Sequence, residues 1–163
     1  MARVYSAREE RFGGYLEDYS VGDIFRHWPG KTITDSENQL FCLLTMAVSP
    51  LHNDAHFAAT ESTFGRPVVV GTYVYSLLLG MSVPDISGRA IANLGASDLR
   101  HVAPVFCGDT IYGVSEVLAA RPSDSRPDAG VLTVRTDGFN QEERQVCTFT
   151  RAVLLPRRPG GGV

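Results

Sequence analysis

A cluster of polar residues lies between positions 49 and 56, where the sequence reads Ser-Pro-Leu-His-Asn-Asp-Ala-His. The proline favours an extended residue before it, so we predict that the cluster lies in a loop between two helices. Loops held by a rigid scaffold often carry binding and catalytic residues. The side chain of His52 titrates near neutrality and can act first as a base and then as an acid. This capacity suits the addition of water to a double bond, or its elimination.

The polar residues in this cluster also have structural explanations. Asp is a preferred N-cap residue, and Asp54 stands just before an apolar run that begins at Phe57. His56 is expected to lie on the surface. A catalytic and a structural interpretation therefore both stay open for His52 and Asp54 at this point.

A second candidate feature is the start of the most apolar stretch of the chain, Val68 to Met81, which contains no charged residue. A helix that is apolar on every side is expected to be buried. Gly71 opens it, and the first amides of a helix, here those of Gly71 and Thr72, have no partner within the helix and lie at its positive end. Such amides can stabilise a developing oxyanion. Alternatively, Gly71 serves only to let two elements pack closely.

Two further helices are predicted before this one. Thr34 and Glu37 have the spacing of a capping box, which predicts a helix from about Ser36 to Met46. A loop from Ala47 to Leu51 follows, and a second helix should end at the sequence Gly-Arg-Pro, 65–67. The first helix carries three leucines on one side: Leu40, Leu43 and Leu44.

After position 88 the apolar residues alternate with a period of two, which is typical of strands. Strands are predicted near 90–103, 110–121, 130–140 and 145–155, separated by turn-rich sequences. Helices followed by an antiparallel meander favour the α+β class, with a curved antiparallel sheet wrapped around the central apolar helix.

The composition is typical of one soluble globular domain. The chain has 163 residues, of which 44% are hydrophobic and 20% charged, and a formal net charge of -3. We predict a flexible N-terminus over 1–12, one domain over 13–155 and a disordered tail over 156–163. The charge does not favour nucleic acid as a partner, and no stretch predicts a signal peptide or a membrane span, so a cytoplasmic location is expected.

The sequence predicts neither a metal nor another cofactor. No metal-ligand spacing or nucleotide-binding motif is visible. The cysteines are odd in number and far apart, so we expect them to be reduced and buried rather than nucleophilic. They are Cys42, Cys107 and Cys147.

The sequence also resembles a known family, the MaoC-like hydratases and dehydratases. Residues 50–54, Pro-Leu-His-Asn-Asp, followed by Phe-Ala, look like the signature Asp-x-Asn-Pro-x-His-x-Asp. The resemblance extends over about 13–118 and includes TDSENQLFCLLTM, FGRPVVVGT and APVFCGDTI. The segments GMSVPD and ANLG most resemble the branch that includes mesaconyl-CoA hydratases.

The resemblance implies a single hot-dog domain and a homodimer that binds an acyl-CoA or acyl-carrier-protein thioester. It implies reversible hydration of a trans-2-enoyl thioester to a 3-hydroxyacyl thioester, without a metal or other cofactor. By position, His52 matches the catalytic histidine, and Gly71 matches the glycine whose amide binds the thioester carbonyl.

Two positions depart from the family pattern: the catalytic aspartate is replaced here by Ala47, and the asparagine two residues later by Ser49. Three explanations stay open. His52 works alone with water held by Ser49, by backbone or by a group from elsewhere; Asp54 has taken over the role; or the protein binds thioesters without hydrating them.

Two other functions are also compatible with the sequence. A hot-dog thioesterase needs a carboxylate near the central helix, for which Glu61 and Asp85 are the nearest candidates. The other rival is a non-catalytic acyl-thioester binder or the silent partner of a heteromer, which Ala47 favours.

Overall fold

The computed structural model describes residues 4–6, as backbone only, and 12–159. These residues form seven strands: β1 (Val4–Ser6), β2 (Ile24–Arg26), β3 (Lys31–Thr32), β4 (Ala92–His101), β5 (Thr110–Pro122), β6 (Ala129–Phe139) and β7 (Gln145–Pro156). They also form four α-helices: α1 (Asp35–Thr45), α2 (Pro50–Asn53), α3 (Ala55–Thr60) and α4 (Gly71–Met81). A 3-10 turn over Leu16–Asp18 and a π-helical turn over Val83–Ser87 complete the described elements.

The strands form one sheet in the order β1, β2, β5, β6, β7, β4, and β3 pairs with β5. All neighbours are antiparallel except β1 and β2, which are parallel. The four long strands match the four predicted from the alternation of apolar residues. Strand β4 stands at one edge of the sheet and pairs on one side only, with β7.

The central helix α4 packs against the sheet through Val74 and Leu78, which are buried in one core cluster with Phe149 of β7. Side chains are absent where the helix comes nearest to the sheet. A Cβ atom at Gly113 would lie 3.3 Å from Leu78, and one at Gly138 would overlap the same side chain. The predicted α+β hot-dog domain, in which the sheet wraps an apolar helix, is thereby confirmed.

In helix α1 the predicted cap is present, whereas the side that carries the leucines is exposed. Both halves of the capping box are present, since the Glu37 amide donates to the Thr34 side chain and the Glu37 carboxylate accepts from the Thr34 amide. The buried side chains of α1 are Asn38 and Cys42. The leucine side predicted for this helix is exposed, with Leu43 79% accessible.

Two element boundaries differ from prediction. The predicted loop over 47–51 ends early, because Pro50 begins α2, a position where the missing amide and fixed φ of proline fit a helix. Helix α3 ends at Thr60 rather than near Gly65, since a turn in which the Phe64 amide donates to the Ser62 hydroxyl at 3.0 Å replaces its last residues. No helix in the described part of the chain is long and apolar enough to cross a membrane.

Order extends beyond the predicted domain boundaries at both ends. Strand β1 lies within the N-terminal segment predicted as flexible, where it pairs with β2. At the other end, Pro156 belongs to β7 and the Arg157 side chain donates to Glu17 at 3.0 Å. Strand pairing and an ion pair thus supply contacts for 4–6 and 156–159, and the flexibility of the two ends stays a prediction. Residues 1–3, 7–11 and 160–163 lie outside the described residues.

Candidate active site

A hydrogen bond holds the His52 ring and fixes which of its two nitrogens carries the proton in the neutral form. It lies half-buried in α2, and its Nδ1 is 2.8 Å from the carbonyl oxygen of Val68. A carbonyl only accepts, so Nδ1 carries the proton, and Nε2 of the neutral ring is left as an acceptor. The amide of Val68 donates in turn to the carbonyl of Leu51 at 3.1 Å. Two hydrogen bonds therefore tie α2 to the segment that leads into α4.

The side chain of Asn38, in α1, links α2 to the segment that leads into α4. Its side chain is 2% accessible; its Nδ2 donates to the His52 carbonyl at 3.0 Å, and its Oδ1 accepts from the Val70 amide at 3.0 Å. Both the backbone of His52 and the residue that precedes α4 are thereby fixed to α1. Asn38 was not predicted as a site residue, although a polar side chain four positions before the apolar Cys42 is a signal for it.

An apolar pocket of about 340 Å³ lies beside His52 and contains the start of α4. His52, Gly71 and His101 line it, and the remaining lining residues are Leu51, Phe64, Val68, Val69, Val74, Val102, Ala103, Pro104, Val105 and Val146. The two histidines are the only side chains of this lining with polar atoms. The structure therefore brings together His52 and Gly71, two residues predicted for the site.

The beginning of α4 offers free backbone donors at this pocket. Among the described residues, none accepts a hydrogen bond from the amides of Gly71 and Thr72, whereas the next amide, of Tyr73, donates to the Val70 carbonyl at 2.9 Å. Gly71 lines the pocket, and the exposed Thr72 does not. The Gly71 amide is thus the donor placed to meet a polar group of a bound ligand.

His101 explains why position 71 is a glycine. A Cβ atom there would lie 2.7 Å from Nε2 of His101, and its three nearest atoms would all belong to that ring. His101 is the last residue of β4 and is exposed, and no residue in the described part of the chain hydrogen-bonds its imidazole. Its signal in the sequence was a titratable side chain at the end of a strand, and the sequence analysis did not use it.

The other predicted site residues lie apart from this lining. Asp54 caps α3, since its Oδ1 accepts from the Phe57 amide at 2.9 Å. Ser49 precedes α2, is exposed and makes no side-chain capping bond. Ala47 is half-buried, and its amide donates to the Cys42 carbonyl at 3.0 Å. None of these three residues is part of the pocket lining.

The carboxylates considered for a thioesterase also lie elsewhere. Asp85 is buried and its Oδ2 is 2.6 Å from Nδ1 of His27, whose Nε2 is 2.8 Å from the Ser115 hydroxyl. Glu61 is exposed at the end of α3. Because neither residue lines the pocket, the structure places no carboxylate against a ligand bound there.

The cysteine thiols are held in their protonated form. All three are free, and Cys42 and Cys147 are buried. Burial, followed by a hydrogen bond with Asp35, raises the pKa of Cys107 to about 12. Burial also raises the pKa of Cys147 to about 11. These thiols are therefore weak nucleophiles at neutral pH, as expected from the sequence.

The chain is similar in sequence to proteins of a known family. The model of the protein family described as mesaconyl-CoA hydratase matches residues 2–161. A mesaconyl-CoA hydratase from Cereibacter sphaeroides is 34% identical over 146 residues, which cover 90% of this chain and 42% of that protein. An (R)-specific enoyl-CoA hydratase from Aeromonas caviae is 35% identical over 121 residues, which cover 74% of this chain and 85% of that protein.

A solved structure shows the same architecture. A protein of Mycobacterium tuberculosis, described as having a double hot-dog fold, is 26% identical with a TM-score of 0.78, covering 93% of this chain and 46% of that one. The present chain thus spans less than half the length of this protein and of the mesaconyl-CoA hydratase.

Proposed function

Because this chain belongs to the mesaconyl-CoA hydratase family of the MaoC-like proteins, we propose that it hydrates an acyl-CoA thioester or dehydrates the product. The reaction interconverts a trans-2-enoyl-CoA and a 3-hydroxyacyl-CoA. One observation carries the proposal: His52, whose Nδ1 is engaged and whose Nε2 is left as an acceptor, and Gly71, at the start of α4, line the same apolar pocket.

In this proposal the thioester carbonyl binds at the Gly71 amide. Negative charge grows on that oxygen as water adds to the double bond, and a fixed donor in an apolar site stabilises it more than water would. His52 Nε2 takes a proton from water while the water oxygen bonds to C3. The electron pair of the C2–C3 double bond moves toward the carbonyl oxygen and gives an enolate, which then receives a proton at C2.

The residue that orients the water differs from the family pattern. At the position of the family's aspartate stands Ala47, whose methyl group can neither hold nor deprotonate water. Asp54 offers little replacement, since its carboxylate caps α3 and lies outside the pocket lining. Ser49 lies outside that lining as well, so the proposal requires that the water be held by backbone or by a group from another part of the chain.

We also propose that the working unit is a homodimer. Every residue of β4 is exposed, including Leu94 at 53%, and Leu43 and Leu44 of α1 are 79% and 75% accessible. An unpaired strand edge and exposed apolar side chains are features of surfaces that associate. A second copy would supply a second hot-dog unit, as in the double hot-dog protein of Mycobacterium tuberculosis. Light scattering that gives a monomer at micromolar concentration would contradict the dimer.

Removal of His52 tests the proposed chemistry. We expect His52→Ala to lower kcat/KM for crotonyl-CoA or mesaconyl-CoA by about 10² or more, the usual scale for a general acid or base. His56→Ala is the matched control, because His56 is an exposed histidine on α3 outside the pocket. The loss of the conjugated enoyl absorbance measures the rate. An unchanged rate in His52→Ala, beside measurable wild-type turnover, would refute the mechanism.

The second candidate function, a non-catalytic acyl-thioester binder, rests on Ala47. The two functions are separated by the wild-type protein, since a binder takes up acyl-CoA at micromolar concentration without turning over any enoyl or 3-hydroxyacyl thioester. Ala47→Asp adds a second criterion. Restoring the carboxylate should raise turnover if its loss only weakened the water site, and should leave a binder inactive.

A further inference from the structure

The proposed pocket contains a second titratable side chain that the mechanism above does not use. His101 and His52 are its two histidines, and no carboxylate lines it. Resting on the proposed hydration, we propose that His101 is a second catalytic residue, which delivers the proton to C2 of the substrate while His52 removes the proton from water.

Hydration moves two protons, and His52 has one nitrogen available to move them. Its Nδ1 is engaged with the Val68 carbonyl at 2.8 Å, so that only Nε2 exchanges protons with a ligand. With one nitrogen, His52 has two options. It can carry the proton taken from water to C2 itself, or it must release that proton before it can take part in a second proton transfer. A second proton carrier in the same pocket removes this constraint.

His101 lies beside Gly71, where the proposal places the thioester carbonyl. Its ring is the group nearest to Gly71 on the Cβ side, with Nε2 2.7 Å from where a Cβ would be. A thioester whose carbonyl oxygen binds the Gly71 amide has its C2 one bond from the carbonyl carbon. The proposal places C2 of such a ligand next to the His101 ring, which lines the same pocket as Gly71.

His101 also has the freedom that a proton carrier needs. No residue that the structure describes engages either ring nitrogen, and in the single chain the residue is exposed at the end of β4. A histidine that only filled space against Gly71 would need neither property. His27 provides the contrast, because both its nitrogens are engaged, by Asp85 and Ser115, in the interior.

The protons and electrons of the step balance. The neutral His52 ring accepts one proton from water, the hydroxyl oxygen bonds to C3, and the π electrons become the enolate. The imidazolium of His101 gives its proton to C2 as the enolate electrons form the C2–H bond and the thioester carbonyl is restored. One water has been added, and solvent returns a proton from His52 to His101. Dehydration runs through the same steps in reverse.

Two substitutions of one residue test the assignment. His101→Asn removes the proton carrier, and His101→Phe keeps a flat ring against Gly71 without any exchangeable proton. We expect both variants to lose about 10² or more in kcat, with KM for crotonyl-CoA changed by less than about threefold. His56→Asn is the matched control and should retain wild-type kcat. Circular dichroism melting curves establish that each variant is folded.

An isotope effect provides a readout that a structural role would not change. With a 3-hydroxybutyryl-CoA deuterated at C2, dehydration by His101→Asn should show a larger deuterium effect on kcat than the wild type, since breaking the C2–H bond becomes slower. Wild-type kcat in folded His101→Phe would overturn the assignment and leave the hydratase proposal standing. A wild-type protein that turns over no enoyl or 3-hydroxyacyl thioester would overturn both.

Discussion

Asn38 is expected to stabilise both the fold and the site, and Asn38→Ala measures how much. The substitution removes two hydrogen bonds and leaves the His52 carbonyl and the Val70 amide without their partner. Leaving a buried polar group unsatisfied costs about 1–3 kcal/mol, so two such groups cost about 2–6 kcal/mol. Alanine recovers at most about 0.7 kcal/mol through its helix propensity. We therefore expect the free energy of unfolding to fall by roughly 1.5–5 kcal/mol.

Urea unfolding followed by circular dichroism measures this loss. Gln39→Ala is the matched control, since Gln39 is the next residue of α1 and is exposed, so that it reports helix propensity alone. In Asn38→Ala we also expect kcat to fall more than KM rises, because the lost contacts position His52 and the start of α4 rather than bind substrate. A destabilisation below about 0.5 kcal/mol relative to Gln39→Ala would refute the reasoning, since even one net hydrogen bond contributes about that much.

Three further predictions concern charge, thiol reactivity and packing. A hydrogen bond with Lys31 and the bonds to Thr34 lower the pKa of Glu37 to about 2. The stability that Glu37 contributes is therefore present above its ordinary pKa of 4.5 and is lost as the pH falls toward 2. The unfolding difference between wild type and Glu37→Gln, at most about 1 kcal/mol for this partly exposed pair, should shrink over that range; a constant difference would contradict it. At pH 8, native Cys107 should react with iodoacetamide at least about 10²-fold more slowly than the unfolded chain, measured by mass spectrometry, because its thiolate fraction is so small. Gly71→Ala should lower the melting temperature more in the wild type than in a His101→Ala background, because His101 is the neighbour that a Cβ meets; equal losses would exclude the contact.

The parts of the fold that were predictable are those with local signals. Alternating apolar residues located β4 to β7 within a few residues, and Thr34 and Glu37 located the start of α1, because these patterns depend on the chain's own geometry. Strands β2 and β3 have three residues and two residues, respectively. Such short segments are strands only because β5 offers them a hydrogen-bonding edge, so no pattern of their own identifies them.

The same distinction explains which site residues were found. His52 and Gly71 were candidates by residue type and position, family resemblance assigned their roles, and the structure places both at one pocket. Asn38 and His101 were missed because their roles depend on what the fold brings to them. Asn38 binds groups 14 and 32 residues away. His101 reaches Gly71 only through the pairing of β4 with β7.

The four histidines of the chain show how their surroundings, rather than their type, select the proton carriers. His27 is buried, with Nδ1 2.6 Å from Asp85 and Nε2 2.8 Å from Ser115, and it does not line the pocket of His52. His56 is exposed on α3, away from the pocket lining. His52 has one nitrogen free because the Val68 carbonyl holds the other, and His101 has no bonded partner among the residues that the structure describes. A pocket without a carboxylate in its lining can still move two protons if it contains two such rings, and that requirement is met at the start of α4.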